Sequence, residues 1–196
     1  DRRRCLDLHT SQIQGSFDGP LVHLFAIPVL AKHIRGRVED LSNVTGVSPD
    51  TGRVRVAEHW ADLLDGAPLA FVHKTRDINV PNHAVSKTVV GDIEGRTCVL
   101  IDDMIDTGGT IAGAVKVLMD KGAKEVIIAA THPVLSDPAA ELLSQCGAVE
   151  VIVTNTLPVP EEKPCDNLTI LSIAPLIARA IREVFDEGSV TEIFEH

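Results

Sequence analysis

Apolar and polar positions along this chain repeat with two periods, and each change of period marks an element. Short apolar runs bounded by Gly, Pro, Asp and Ser read as buried strands over Val44–Val47, Leu69–Val72, Thr97–Ile101, Val126–Ala130 and Val149–Val153. Between them the apolar spacing turns helical. Pro28–Arg35 reads as a helix with Pro28 in its first turn and Gly36 past its end. Val54, Ala57, Trp60, Ala61 and Leu64 form a second helical stripe. Ile111, Ala114, Val115, Leu118 and Met119 form a third, stopped by Gly122. Asp137–Cys146 with Gly147 after it, and Ala174–Phe185, complete the helices. Polar residues run from Lys74 to Lys87, a proline loop crosses Pro158 to Pro164, and Val190–Phe194 reads as a short closing strand. Strands alternating with helices predict an α/β fold, a parallel sheet flanked by helices.

Composition narrows the class. At 196 residues with 44% hydrophobic and 23% charged positions, the chain is long and apolar enough to bury one good core. The net charge of −10 disfavours a nucleic-acid partner, because a phosphate polymer needs a concentrated basic face. Only Arg2-Arg3-Arg4 forms a basic run, at the extreme start. No apolar run reaches membrane-spanning length and no signal peptide is visible, so no membrane partner is expected. The four cysteines (Cys5, Cys98, Cys146 and Cys165) have neither metal-type nor disulfide-framework spacing, which fits a reducing, cytoplasmic compartment. Cys98, inside an apolar strand, reads as a core residue. The start at Asp1, without Met, suggests a fragment.

The chemistry concentrates in Val99-Leu100-Ile101-Asp102-Asp103-Met104-Ile105-Asp106-Thr107-Gly108-Gly109-Thr110-Ile111. A buried strand delivers Asp102 and Asp103 to its carboxyl end, where open α/β sheets bind ligands. Gly108 and Gly109 permit a tight turn with exposed N–H groups, and the helix that follows adds its dipole. One half of this arrangement suits a phosphate; the other suits hydroxyls or a metal. A pentose 5-phosphate supplies both. The bland alternative is a strand–turn–helix junction with acids on a solvated rim.

Three more loops end predicted strands. Ser48-Pro49-Asp50-Thr51-Gly52 has amides for a pyrophosphate and a carboxylate, Asp50, for Mg²⁺; it also reads as a simple turn that starts a helix. Lys74 and Arg76 alternate, so an extended chain points both cations one way, toward charge on a transferring phosphoryl group. A solvated basic loop has the same look. Asp7 and His9 are placed on one strand face, spaced for a cation or nucleotide phosphates, although Mg²⁺ prefers oxygen to imidazole.

The 99–111 segment closely resembles the phosphoribosyl-diphosphate (PRPP) binding motif of type I phosphoribosyltransferases and PRPP synthetases. The resemblance implies that Asp102 and Asp103 hold ribose hydroxyls while Asp106, Thr107, Gly108, Gly109 and Thr110 hold the 5-phosphate. Asp7-Leu8-His9 through Asp18 resembles the segment that distinguishes synthetases from transferases. Residues 48–52 resemble their pyrophosphate loop, which carries Asp50, Thr51 and Gly52. Lys74-Thr75-Arg76 resembles the start of their catalytic loop. Gly188 to Phe194 resembles their C-terminus, which implies a regulatory phosphate or ADP site using Ser11, Gln14, Ser189, Val190 and Thr191. The chain is similar to the bacterial, actinobacterial-type ribose-phosphate diphosphokinases, over about the last three-fifths of one.

From that resemblance follow a type I phosphoribosyltransferase-like domain over 36–187, a remnant of a second similar domain over 1–35, and a tail, 188–196, that packs toward the remnant or a neighbouring subunit. The implied reaction moves the diphosphoryl group of MgATP to O1 of ribose 5-phosphate. Lys74 and Arg76 would be catalytic, Arg76 would also touch the sugar phosphate, His9 and Asp50 would hold Mg²⁺, and the protein would be a homo-oligomer. Val22 stands where the family often has an acid, and Ser16 where it has an aromatic. Two rivals remain: a phosphoribosyltransferase that spends PRPP, and a non-catalytic PRPP-binding subunit.

Overall fold

The computed structural model describes residues 3–50, 54–75, 86–159 and 165–186, with backbone alone at 11, 54–57, 74, 75, 86 and 87. β1 (Arg3–Leu6) and β2 (Leu21–Leu24) form a two-stranded parallel sheet. The chain continues through α1 (Ile27–Arg37), β3 (Val44–Ser48), α2 (Val54–Leu63), β4 (Leu69–Thr75), β5 (Ser86–Val90), β6 (Thr97–Ile105), α3 (Gly109–Asp120), β7 (Glu125–Pro133), α4 (Ala139–Gln145), β8 (Glu150–Thr154), β9 (Leu168–Leu171) and α5 (Ala174–Phe185). The main sheet has seven strands in the order β5-β4-β3-β6-β7-β8-β9, all parallel except the β4–β5 pair.

Both faces of this sheet are covered, so β6, β7 and β8 each carry an apolar run that faces both ways before polar residues appear toward their carboxyl ends. In β6, Cys98 and Leu100 face α3 and α4 with Val126, Ile128 and Val151. Val99 and Ile101 face the other way, with Leu30 and Ile34 of α1, Trp60 of α2, and Leu176 and Ala180 of α5. Burial pushes the Cys98 thiol up to about 12, an inert core sulfur.

After β3 the chain builds β4 on one side, then crosses to lay β6 on the other. The gap between the carboxyl ends of β3 and β6 is therefore a topological switch point, the usual ligand crevice of an open α/β sheet.

The structure departs from the sequence reading in several places. α1 runs through Gly36 to Arg37, and Val38, in extended conformation with its N–H bonded to the Ile34 carbonyl, ends the helix instead. Two strands were not anticipated. Ser86–Val90 hydrogen-bonds to β4 as an antiparallel edge strand, inside and beyond the end of the expected polar loop. Leu168–Leu171 follows the proline loop as the other edge, too short and half-exposed to stand out as an apolar run. Met119, expected on the core face of α3, is 41% exposed, one position past the buried Leu118. β6 continues four residues beyond Ile101, so both aspartates lie within it. Asp7 and His9 do not share a strand face: β1 ends at Leu6, and Asp7 has φ 39°. Arg76, Thr51, Gly52 and the expected closing strand Val190–Phe194 lie outside the described residues.

Candidate functional site

At the switch point, β6 delivers Asp102 half-buried and Asp103 buried, and the chain then turns through Asp106, Thr107 and Gly108 into α3. Gly108 has φ 76° and ψ −10°, a left-handed conformation that favours glycine. A Cβ there would also lie 3.3 Å from the Ala139 Cα of α4. The Ala112 N–H closes onto the Gly108 carbonyl at 2.8 Å. The amides that precede it in the first turn are left to a helix N-terminus with its positive dipole end.

His9, Asp50, Asp102, Asp103, Asp106, Thr107, Gly108 and Thr110 line one cleft of about 210 Å³. Gly109 is the first residue of α3, directly behind it. The structure thus brings the Asp102–Thr110 segment, Asp50 and His9 together, although they lie far apart in the chain. Asp50 arrives from the β3 side, where the Ser48 hydroxyl donates to the Asp50 carbonyl at 2.6 Å. His9 Nδ1 is 2.8 Å from Asp103 Oδ2, and the Asp102 side chain accepts from the Asp103 N–H at 2.9 Å.

Other expected residues fall elsewhere. Gln14, in a 3₁₀ turn over Ser11–Ser16, places its amide 3.4 Å from His23 Nδ1. Asp18 is exposed and does not line the cleft. The backbone of Lys74 belongs to β4, paired with Lys87; its side chain, and all of Ser189, Val190 and Thr191, lie outside the described residues.

Beside the cleft Asp7 joins a polar network whose other members, His23, Thr131 and His132, were missed in the sequence. Asp7 Oδ2 accepts from the Ala26 N–H at 2.9 Å and from the Thr131 hydroxyl at 2.6 Å. Burial raises the Asp7 carboxyl above the usual carboxylate range, and these two bonds with the nearby His132 and His23 offset it only in part. His132 Nε2 lies 3.1 Å from the Leu6 carbonyl and 3.2 Å from that of Asp7, while its Nδ1 is 2.9 Å from the Thr156 hydroxyl. His23 Nε2 accepts from the Leu8 N–H at 2.9 Å; burial lowers this imidazole below its ordinary value, against the pull of Asp7. The available signal was Thr131-His132, a polar pair at the carboxyl end of an apolar strand, the same cue that picks out Asp102 and Asp103.

No group of three His, Cys, Asp or Glu side chains suited to a metal occurs among the described residues. The cleft nevertheless suits Mg²⁺, which is bound through one or two carboxylates together with substrate phosphates and water, without a protein cage. Among the described residues no helix is long and apolar enough to cross a membrane.

Together these features define an α/β protein whose switch crevice combines an acidic pair with an amide-bearing turn. The chain belongs to the phosphoribosyl synthetase-associated domain family, whose model matches residues 55–195. A relative named ribose-phosphate pyrophosphokinase from Bifidobacterium longum is 62% identical over 196 residues, 100% of this chain and 58% of the relative. Another of that name, from Mycobacterium tuberculosis, is 64% identical over 195 residues, covering 100% of this chain and 60% of its own length. The crystal structure of phosphoribosylpyrophosphate synthetase from Mycobacterium smegmatis superposes with a TM-score of 0.85 at 60% identity, over 96% of this chain and 60% of that one. The chain therefore spans about three-fifths of the length of these relatives. The resemblance carried by the sequence motifs is borne out at the level of the family.

Proposed function

We propose that this chain holds ribose 5-phosphate in the switch-point cleft and contributes it to synthesis of PRPP. The observation that carries the reading is the shared cleft: acidic pair and phosphate turn on one wall, Asp50 on the other. Asp102 and Asp103 accept hydrogen bonds from the ribose hydroxyls. The 5-phosphate lies against Asp106, Thr107, Gly108, Gly109 and Thr110, where the amides of the helix N-terminus offset the nearby carboxylate. The sugar O1 then faces the Asp50 side of the crevice, where a nucleoside triphosphate's β-phosphorus would lie in line.

The reaction is attack of O1 on that phosphorus, cleavage of its bond to the α,β-bridging oxygen, and departure of AMP. Holding the two partners in line supplies much of the acceleration. Mg²⁺, when bound, neutralises diphosphoryl oxygens, and His9 and Asp50 are the residues that would hold it. Lys74 and Arg76 act on the charge of the transferring group, and Arg76 also touches the sugar phosphate; Thr51 and Gly52 hold pyrophosphate with Asp50. Residues 36–187 form the sugar-phosphate unit, 1–35 are the remnant of a second similar domain although α1 packs on the main sheet, and 188–196 pack toward the remnant or a neighbouring subunit. The assembly is a cytoplasmic homo-oligomer whose regulatory phosphate or ADP site uses Ser11, Gln14, Ser189, Val190 and Thr191. Nucleic acid and membrane have no part in it.

The test is ³¹P NMR of the chain with ribose 5-phosphate, ATP and Mg²⁺. New PRPP and AMP resonances are expected if the chain carries the whole reaction. A protein-dependent shift of the ribose 5-phosphate signal without turnover leaves a binding module. An unchanged ribose 5-phosphate signal rejects the cleft assignment.

A further inference from the structure

β1 ends at Leu6, and a left-handed Asp7 turns the chain toward the cleft. A non-glycine residue at φ 39° is uncommon, with Asp among the more tolerant, and the surroundings hold it there. They do so at three consecutive residues. His132 Nε2 sits within 3.1 and 3.2 Å of the Leu6 and Asp7 carbonyls, Thr131 and Ala26 donate to the Asp7 carboxylate, and His23 accepts from the Leu8 N–H. The next residue is His9, whose ring meets Asp103.

The sheet register explains why these contacts act together. β6 and β7 pair Asp102 with Ala130 and Met104 with His132, so Asp103 stands level with Thr131 on the neighbouring strand. Thr131 holds Asp7 and Asp103 holds His9: one short turn is clamped to two adjacent strands at the same height. We propose that Asp7 is a positioning residue, whose side-chain oxygen fixes the 7–9 turn and so sets His9 over Asp103, and that it is not a metal ligand. Two observations separate these roles. Both donors converge on the same oxygen, Oδ2, a task an uncharged amide oxygen performs equally well. Asp7 is also absent from the lining of the Asp50 cleft and lines instead a second cavity of about 70 Å³, together with Trp60, Leu30 and the two aspartates that both cavities share.

The proposal predicts rescue by the conservative variant. In ¹⁵N-histidine-labelled protein, with the His9 signals assigned by a His9→Gln variant, Asp7→Asn should leave the His9 imidazole resonances in place. Asp7→Ala should move them. Thr131→Val, which removes one donor at nearly constant volume, should move them the same way and carries the test if Asp7→Ala does not fold. Where the effect on binding rests on the function proposed above, calorimetry with ribose 5-phosphate and Mg²⁺ should show about a 10- to 100-fold loss for Asp7→Ala and little loss for Asp7→Asn. A wild-type chain that fails to bind ribose 5-phosphate would reject that function, while the His9 resonances still decide the role of Asp7. His9 signals unmoved in both Asp7→Ala and Thr131→Val, or Asp7→Asn as damaging to binding as Asp7→Ala, would overturn the proposal.

Discussion

Gly108 shows how much a single position decides at the residue scale. Its φ of 76° and the 3.3 Å approach of a notional Cβ to Ala139 Cα leave an L side chain both strained and crowded. Gly108→Ala should therefore lower stability by about 1–2 kcal/mol and tilt the first amides of α3 away from the phosphate. Urea denaturation and calorimetric titration of ribose 5-phosphate would check it; unchanged affinity would remove Gly108 from the site. The residues around it were legible in the sequence because carboxylates, glycines and helix start lie on one contiguous segment. His23, Thr131 and His132 were not, and Asp7, although singled out with His9, was read as sharing a strand face with it. Each is an ordinary polar residue whose meaning depends on a partner 15 to 126 positions away.

Among the elements, Glu150 at the start of β8 ties α1 to two strands. Its Oε1 accepts from Thr169 at 2.6 Å and lies 2.9 Å from His33 Nε2, while Arg37 Nε is 3.4 Å from Oε2. Burial raises the carboxyl, yet the Thr169 and His33 bonds and the cations outweigh it, and Glu150 ends below its ordinary value of 4.5. A depressed folded-state value means stability that is complete above 4.5 and disappears as pH falls through the folded value. Glu150→Gln should cost about 1 kcal/mol at neutral pH, after discounting for partial exposure. Urea midpoints of the two proteins should converge below pH 4.5; a constant gap would contradict the linkage. The same scale shows what the hydrophobic pattern can reveal. β3, α3, β6, β7, β8 and α5 stood out because strands buried on both faces and one-faced helices have strong periods. β5 and β9 are edges, apolar on part of one face, and their short patterns merged into the loops beside them. The end of α1 was misplaced for a different reason: a glycine in open space does not stop a helix whose C-terminal turn still has partners.

Over the whole molecule, the net charge of −10 opposes the approach of an anionic sugar phosphate, although the cleft itself ends in a helix N-terminus. Raising ionic strength to about 0.15 M shortens the reach of that repulsion to about 8 Å while leaving the contact interactions less affected. The association rate of ribose 5-phosphate should therefore rise with salt, which stopped-flow titration would show; a fall would mean that local cations dominate the encounter.

The clamp at Asp7 also bears on how the chain is made. Asp7 emerges from the ribosome 124 positions before Thr131, its partner in the clamp. At about 5–20 residues per second, that separation is a wait of about 6–25 s. Throughout it the first strands have no β7 to dock on. The segment before β3, synthesised ahead of the main sheet, is thus among the last to be fixed, and in a nascent chain the His9 wall of the cleft closes only after β7 has been added.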